Sequence, residues 1–434
     1  MVNVSLAIIQ FFSIGLLILF EYARRSLSIF IWGTLFIMFA IPHLLGVLIG
    51  NTGYSEEVLQ QASLFVIMFN VVYLVTKIVL QGPTMNRKLS WFRIPENKVA
   101  KTNQRAQKIH FCLLVLTFII LLYYSYKYLG GILAGSFGAF LKLRSQIGRN
   151  SILSHSFTIF FATSGVSLGY IETGRRNMGL LCITIVILYS LLRGNRMSFL
   201  PAIVTIIIHY IYFKKKKFTS IQIVVLAIIA FLSLYSIYML RLFRFGGGVY
   251  AVIRSGYSLR EMSMQAFNMI LNGEGELGLR RAFYHFIHYD NNFINFNKGH
   301  TYIRFLLIGV PRMLIPSIKP PDFAIDMGTA WSMNPYNTSY SMHPTLYGDC
   351  FANFWWFGII LGSLWAVLVF VIDAFVLRFE TTAREILMVL LATSYVIIAR
   401  GSVYNGLFTA FAGTLIVVIV DKISRLSLNI KRNV

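Results

Sequence analysis

The chain contains repeated, unbroken apolar runs of about 20 residues, the length that an α-helix needs to cross the hydrocarbon core of a membrane. Inside a bilayer the backbone must satisfy its own hydrogen bonds, so only helices and closed barrels can span it. Spanning strands would give short alternating segments instead of long apolar runs. With 57% hydrophobic and only 13% charged residues, the chain is also too apolar for a soluble protein of this length. The sequence therefore predicts an all-α polytopic membrane protein.

The apolar runs and the basic loops between them predict a topology with eleven spans. Lysine and arginine are retained in cytoplasmic loops, and when eleven helices alternate, six basic segments fall on one side. This places the N-terminus outside, in the periplasm, and the C-terminus in the cytoplasm. The spans lie near residues 4–21, 27–50, 62–81, 110–127, 155–171, 178–192, 197–213, 221–240, 351–377, 384–399 and 405–420. The basic segments are Arg24 with Arg25, 87–108, Arg175 with Arg176, 214–217, Arg378 with Arg384, and 422–432.

The predicted spans divide the sequence into three regions: 1–240 with eight spans, 241–350 as a large periplasmic loop, and 351–434 with three spans and a cytoplasmic tail. Between 241 and 349 the loop carries eight arginines and four histidines. An arginine excess on the side that normally avoids arginine indicates an anionic partner, and the planar guanidinium suits phosphate or pyrophosphate. Individual arginines that anchor the chain to ordinary lipid remain an alternative. Nucleic acid is not an expected partner, because cytoplasmic loops account for much of the net charge of +23.

The loop is rich in apolar residues and is expected to fold. Ser258 and Glu261 fit a capping box, which predicts an amphipathic helix near 258–271. A second helix is predicted over Leu279–His288, with Arg280, Arg281, His285 and His288 on it. The proline-marked stretch 311–321 cannot form a continuous helix.

Few motifs for cofactor or metal chemistry are present. His285, His288 and Asp290 could share a metal, but no HExxH, DxD or cysteine cluster accompanies them, so no metal and no cofactor is predicted. The absence of a GxSxG elbow and of a glycine-rich phosphate loop argues against a serine hydrolase and against nucleotide-driven chemistry. Gly194-Asn195-Arg196 opens a predicted helix on the outer side, where it favours an anion pocket, with a simple interfacial loop as the alternative.

The segment His343 to Gly358, HPTLYGDCFANFWWFG, resembles the acidic element that leads into a late span of the bacterial O-antigen polymerases. Gly194-x-Arg196, and Val310-Pro311-Arg312 followed by Lys319-Pro320, fit the same resemblance. Two departures are Asp349, where glutamate is commoner, and the pair Trp355-Trp356, which delays the glycine. The resemblance implies a type C glycosyltransferase in the bacterial inner membrane that joins oligosaccharide repeat units carried on undecaprenyl pyrophosphate.

The residues of the chain independently suit such a reaction. A polyprenyl pyrophosphate is a good leaving group, arginines can neutralise its charge without a metal, and the acceptor hydroxyl needs a base. Each candidate sugar-binding aromatic could equally be an interfacial anchor. The candidates are Asp349 or His343 as base; Arg196, Arg280, Arg281, Arg312 and Arg400 for pyrophosphate; and Trp331, Tyr336, Tyr340 and Tyr347 for sugar.

Other functions remain open at this point. An O-antigen ligase would share the donor chemistry, and the sequence barely separates it from a polymerase. A lipid-linked oligosaccharide flippase is disfavoured because the spans hold few charges at mid-membrane depth and the large outer loop has no mirrored partner. A multi-pass acyltransferase is disfavoured because no histidine pair lies within a span. The expected partners are undecaprenyl-pyrophosphate-linked glycans and membrane lipids, with a chain-length regulator and a flippase as the candidate protein partners.

Overall fold

The structure is a computed structural model in which helix accounts for 82% of the residues described. No strand occurs in the ranges it describes, which confirms the prediction of an all-helical protein. These ranges are 2–50, 52–85, 103–129, 151–193, 196–213, 235, 238–239, 242, 254, 256, 258–271, 278–310, 314–338 and 341–430.

The helices follow one another in this order. The first nine are α1 (Val2–Ala23), α2 (Ile29–Leu35), α3 (Ile41–Ile49), α4 (Glu56–Met85), α5 (Gln104–Leu129), α6 (Ser151–Ser164), α7 (Val166–Glu172), α8 (Arg176–Arg193) and α9 (Leu200–Ile208). The others are α10 (Leu259–Leu271), α11 (Leu279–His288), α12 (His300–Leu306), α13 (Phe323–Ser332), α14 (Thr345–Phe354), α15 (Leu361–Val376), α16 (Thr381–Ala399) and α17 (Val403–Ile430). Phe36–Ala40 and His209–Phe213 are π-helical, and Arg196–Phe199 and Trp355–Ile360 are 3₁₀ turns.

Seven helical segments among the described residues are long and apolar enough to cross a membrane. All seven coincide with predicted spans, so the chain is a multi-pass helical membrane protein. The predicted spans near 178–192 and 197–213 correspond to shorter apolar helices, and the one near 221–240 lies almost wholly outside the described residues. The total of eleven therefore stays a prediction. The seven are Asn3–Ala23, Ile29–Ile49, Glu56–Leu80, Gln104–Lys127, Thr345–Val376, Thr381–Ala399 and Val403–Arg425.

The predicted span near 155–171 is divided into α6 and α7 at Gly165. A Cβ atom at this position would lie 2.7 Å from the carbonyl oxygen of Ile386 and 2.8 Å from its Cα. Only glycine permits two backbones to approach so closely. Gly165 therefore permits a close helix contact, which hydropathy does not report.

Predicted helices in the loop region are confirmed. α10 covers Leu259–Leu271 and buries Met262 and Ala266 on one face. The side chain of Ser258 accepts a hydrogen bond from the backbone N–H of Arg260 over 3.2 Å. The capping box predicts the N–H of Glu261 as the donor, one residue later. α11 has the predicted bounds, and the described part of the stretch 311–321 contains no continuous helix.

Contacts divide the chain into two compact units, each built from separate stretches of sequence. In the first unit, α4 packs against both α1 and α15, and α11 packs against α4 and α14. In the second unit, α5 packs against α6 and α8. The first unit comprises Met1–Lys98, Gly275–Phe379 and Leu391–Phe411, and the second comprises Val99–Glu274, Glu380–Leu390 and Ala412–Val434.

The late span of 32 residues, Thr345–Val376, is not one straight helix. α14 ends at Phe354, and Trp355, with a φ of 54° and a ψ of −138°, breaks the helical path at the first residue of the 3₁₀ turn. Every residue from Thr345 to Asn353 is buried. α15, by contrast, exposes Leu364, Val367 and Val371. The two legs of this segment therefore occupy different surroundings.

Candidate functional site

α11 is fixed by its apolar face. Phe283 is fully buried, and its ring lies 5.6 Å from that of Phe65 and 5.8 Å from those of Phe39 and Phe351. Aromatic rings at these separations bury large areas and add favourable edge contacts. This contact holds α11 against α4 and α14, so the directions of its polar side chains are set by the packed core.

A pocket of about 530 Å³ lies between the polar face of α11 and the turn after α3. Its volume falls in the range of small-ligand sites. Gly50 and Gly53 in this turn both have a φ of +73°, a conformation that glycine adopts without a Cβ clash. The lining residues are Gly50, Thr52, Gly53, Tyr54, Ser55, Arg281, His285, His288 and Tyr289.

Arg281 is the cationic side chain of this pocket. It is exposed, and its Nη2 atom would lie 3.4 Å from a Cβ atom placed on Gly53. Partial burial raises the pKa of Tyr54, and the nearby positive charge of Arg281 opposes that shift. Arg281 and Tyr54 therefore place a guanidinium and a phenol ring at one pocket.

Arg280 points elsewhere, because adjacent residues on a helix do not share a face. Its side chain is buried, and Nη2 would lie 3.8 Å from a Cβ atom on Gly46. Burial raises the pKa of the Tyr284 phenol, and the charge of Arg280 opposes this shift. The neutral phenol can donate to Nδ1 of His43 over 2.5 Å, which assigns the ring proton to Nε2 beside Ser63 Oγ at 2.9 Å. Arg280 thus belongs to an internal polar network.

The two histidines of α11 differ in surroundings. His285 is 8% exposed, and its Nε2 donates to the carbonyl oxygen of Ala330 over 3.0 Å. Its ring stacks on Phe293 at 5.4 Å and lies 5.0 Å from Trp331. Burial lowers the pKa of His285, with a smaller opposing effect from the Ala330 carbonyl. A neutral His285 is a fixed hydrogen-bond donor, whereas His288 is exposed.

Metal ligation finds no support in the part of the chain that the structure describes. No group of three or more His, Cys, Asp or Glu side chains lies in a metal-binding arrangement there. Asp290, which follows the two histidines, accepts a hydrogen bond from the indole nitrogen of Trp355.

Asp349 and His343 line a second, much narrower cleft. About 10 Å³ is open in it, which is room for about one water molecule. Asp349 is 1% exposed and accepts hydrogen bonds from Thr301 Oγ1 and Asn353 Nδ2, both at 3.2 Å. The other residues of the cleft are Thr301, Asp322, Ala324, Met327, Gly401, Ser402, Val403, Tyr404 and Asn405.

Arg400 reaches this region through its main chain. The backbone N–H of Thr345 donates to the Arg400 carbonyl oxygen over 3.3 Å. Gly401 has a φ of +99°, and a Cβ atom there would lie 2.4 Å from Thr345 N and 2.9 Å from the carbonyl carbon of His343. The glycine after Arg400 therefore permits the turn to lie against the segment that carries His343.

The contact between Arg304 and Tyr404 at this end was not recognisable in the sequence. The guanidinium of Arg304 lies 4.2 Å above the ring of Tyr404, and Tyr404 lines the narrow cleft. Lys319 lies 5.9 Å from the same ring and donates to the carbonyl oxygens of Leu307 at 2.7 Å and Val310 at 2.6 Å. Arg304 and Tyr404 are too far apart in sequence for any spacing rule to pair them.

The candidate sugar-binding aromatics occupy different surroundings. Tyr336 is 90% exposed, and Trp331 is half-buried beside His285. Tyr347 is fully buried, with ring contacts to Phe39 at 5.5 Å and Phe69 at 5.4 Å. Its hydroxyl donates to Asn70 Oδ1 over 2.8 Å, so Tyr347 offers no open face to a sugar.

Three candidate residues give no information about a site. Arg312 and Tyr340 lie outside the described residues. Arg196 begins a 3₁₀ turn in the second unit, and its side chain lies outside the described part of the chain.

The helix α13 borders both sites of the first unit. Its Ala324 and Met327 line the narrow cleft, and its Ala330 carbonyl receives the hydrogen bond from His285 of the large pocket. The structure thus brings together Arg281, His285 and His288 in one place and Asp349, His343 and the Arg400 turn in another. No protein-family model, no curated protein and no solved structure matches this chain.

Proposed function

We propose that this protein is a membrane glycosyltransferase of the O-antigen polymerase type. It transfers a growing glycan from undecaprenyl pyrophosphate onto a sugar hydroxyl of a fresh lipid-linked repeat unit. The reaction takes place at the periplasmic face of a bacterial inner membrane, in a protein with eleven spans, an outer N-terminus and a cytoplasmic C-terminus.

The observation that carries the proposal is the pocket of about 530 Å³ at α11. An exposed guanidinium, Arg281, lies there with the phenol groups of Tyr54 and Tyr289. Guanidinium groups bind phosphate oxygens through charge-assisted bidentate hydrogen bonds, and aromatic rings provide flat apolar faces for sugars. This combination suits a sugar attached to a phosphate better than it suits an uncharged lipid.

The second part of the proposal concerns proton transfer. The bond between the donor sugar and its pyrophosphate breaks, and the acceptor oxygen forms a bond to the same sugar carbon. The acceptor proton passes to a base, for which His343 and Asp349 are the candidates at the narrow cleft. Both carboxylate oxygens of Asp349 already accept hydrogen bonds, which favours His343 as the base and Asp349 as a positioning residue.

Reconstitution of the purified protein tests the proposal. A lipid-pyrophosphate repeat unit is supplied without nucleotide and without added metal, and products are separated by length. A ladder of polymers together with released undecaprenyl pyrophosphate is expected. If the purified protein retains its fold but leaves the substrate unchanged, the proposal is contradicted.

An O-antigen ligase is the nearest alternative, because it uses the same donor. Deletion of the gene separates the two: loss of a polymerase leaves one repeat unit on the final carrier, whereas loss of a ligase leaves none. A flippase would move the intact lipid-linked oligosaccharide across vesicles and release no undecaprenyl pyrophosphate.

A further inference from the structure

Three ionisable side chains meet inside the membrane-spanning part of the first unit. They are Glu21 of α1, Lys77 of α4 and Asp373 of α15, with side-chain exposures of 0%, 0% and 7%. Ionisable groups inside spanning segments are costly and rarely occur there without a functional role. We call these three residues the buried triad.

Close helix packing brings the triad together. A Cβ atom on Gly362 would lie 2.7 Å from the carbonyl oxygen of Phe69, so α15 and α4 approach each other closely there. The hydroxyls of Thr76 and Ser363 are 2.8 Å apart on the same pair of helices. These contacts fix the register that places Asp373 beside Lys77.

The ammonium of Lys77 lies between the two carboxylates at the same distance from each. Its Nζ is 3.6 Å from Glu21 Oε1 and 3.6 Å from Asp373 Oδ2. Tyr73 donates to Glu21 Oε1 over 2.7 Å, and Ser26 donates to Asp373 Oδ2 over 2.5 Å. One oxygen of each carboxylate is thereby held in place.

Other polar atoms of the triad are buried and make no hydrogen bond among the described residues. They include Glu21 Oε2 and Asp373 Oδ1, one from each acid. The hydroxyl of Tyr395 is also buried without a hydrogen bond in the described part of the chain, and it lies within electrostatic range of both acids. Buried polar atoms are normally satisfied, so each of these oxygens calls for a proton or a water molecule.

The charges of the triad do not balance. Two carboxylates and one ammonium leave an excess negative charge in a region of low dielectric constant, where an uncompensated charge is strongly disfavoured. Glu21 and Asp373 lie in the last turns of α1 and α15, where the helix dipole adds further negative potential. Both effects favour the uptake of one positive charge.

We propose that the buried triad is a proton-binding site, in which Glu21 and Asp373 share one proton that exchanges with water at this end of the helices. Binding converts one carboxylate to a carboxylic acid, and the triad becomes neutral. The proposal goes beyond glycosyl transfer and does not depend on it.

Infrared difference spectroscopy during a pH titration of the protein in lipid nanodiscs tests the proposal. The side chains of Asp349 and Glu385 are also buried, so the proton of the triad is measured as the difference between the wild type and a variant. Asp373→Asn removes the excess charge without changing the size of the side chain, so the C=O stretch of protonated carboxyl groups should lose the intensity of about one proton per chain. Glu21→Gln makes the same test from α1.

A matched control exists elsewhere in the chain. Arg425 pairs with Asp421 at 2.7 Å and with Glu380 at 3.0 Å, again two acids and one base, but Glu380 is 54% exposed and Arg425 is 43% exposed. Solvent screens such a cluster, so Glu380→Gln should leave the band unchanged. A band of undiminished intensity in both Asp373→Asn and Glu21→Gln would overturn the proposal.

A small alkali cation is the other source of positive charge. The unfolding temperature is therefore measured at constant pH with sodium or potassium chloride at equal ionic strength. Equal values for the two salts are expected. A rise in the unfolding temperature that is specific to sodium and is abolished by Asp373→Asn would show that the triad binds sodium instead of a proton, and would overturn the proposal.

Discussion

Thr301 donates a hydrogen bond from its hydroxyl to the carboxylate of Asp349 over 3.2 Å. Asn353, one turn beyond Asp349, donates to the same carboxylate and to the Thr301 hydroxyl at 3.1 Å. The Thr301 backbone N–H donates in turn to Asn353 Oδ1 over 3.2 Å. These bonds connect α12 to α14 and hold the acidic element in one orientation.

Thr301→Val should weaken this connection. The isosteric change removes a donor to a buried carboxylate and is expected to lower the free energy of unfolding by about 1–3 kcal/mol. Thermal unfolding in detergent measures the change. Thr301→Ser keeps the hydroxyl and should lose much less; equal losses in the two variants would assign the effect to the methyl group instead.

Arg281→Ala should abolish polymer formation and leave single repeat units on the lipid. Loss of one charge-stabilising donor at a reacting centre typically costs about 100-fold or more in rate. Arg281→Lys keeps the charge but loses the bidentate fork, so an intermediate rate is expected. Arg260→Ala, an exposed arginine on α10, is the matched control. Polymer lengths that stay at wild-type level in Arg281→Ala would remove this residue from the site.

Gly401→Ala should destabilise the protein more than Gly174→Ala does. Both glycines have positive φ, +99° and +79°, and an alanine in that conformation costs about 1–2 kcal/mol. Gly174 has open space around it, whereas a methyl at Gly401 would meet Thr345 N at 2.4 Å. The unfolding temperature is therefore expected to fall further in Gly401→Ala than in Gly174→Ala. Only Gly401→Ala is expected to lose polymer formation. Indistinguishable unfolding temperatures for the two variants would contradict the close contact.

His285 should make stability depend on pH. Burial lowers its pKa in the folded protein, so the unfolded chain binds a proton more readily as the pH falls below about 6.5. The contribution of His285 is therefore complete above that pH and declines as the pH falls toward the folded pKa.

His285→Gln provides the measurement for this pH effect. Glutamine can keep a donor near the Ala330 carbonyl but does not titrate, so the unfolding temperature of the variant should fall less steeply between about pH 6.5 and pH 5. His288→Gln, on the exposed side of α11, serves as control. Parallel pH curves for the wild type and His285→Gln would show that another group causes the decline.

Local sequence patterns predicted much of the helical architecture. The apolar face of 258–271 and the bounds of Leu279–His288 are confirmed, because spacing along one helix determines which residues it buries. The close contact at Gly165 was not predictable, since the backbone that it meets, that of Ile386, is more than two hundred residues away. Hydropathy indicates whether a segment prefers lipid or water, but it does not indicate which other helix the segment packs against.

The candidate sites show the same limit. Arginine enrichment indicated α11 but could not separate buried Arg280 from exposed Arg281. Tyr347 stands in the acidic element, yet packing against Phe39 and Phe69 encloses it. Glu21, Lys77 and Asp373 each stand within a predicted span, but their meeting was not predictable, because they come from three helices far apart in sequence.

Because every residue from Thr345 to Asn353 is enclosed by protein while α15 has an outward apolar face, one hydrophobic run is subject to two kinds of selection. Along α15, many different apolar side chains would be tolerated at the outward positions. Along α14, close packing limits the size of the side chains, since a Cβ atom on Gly348 would lie 2.7 Å from Pro344. A saturation library of this run should therefore yield a tolerant half and an intolerant half, divided at Trp355.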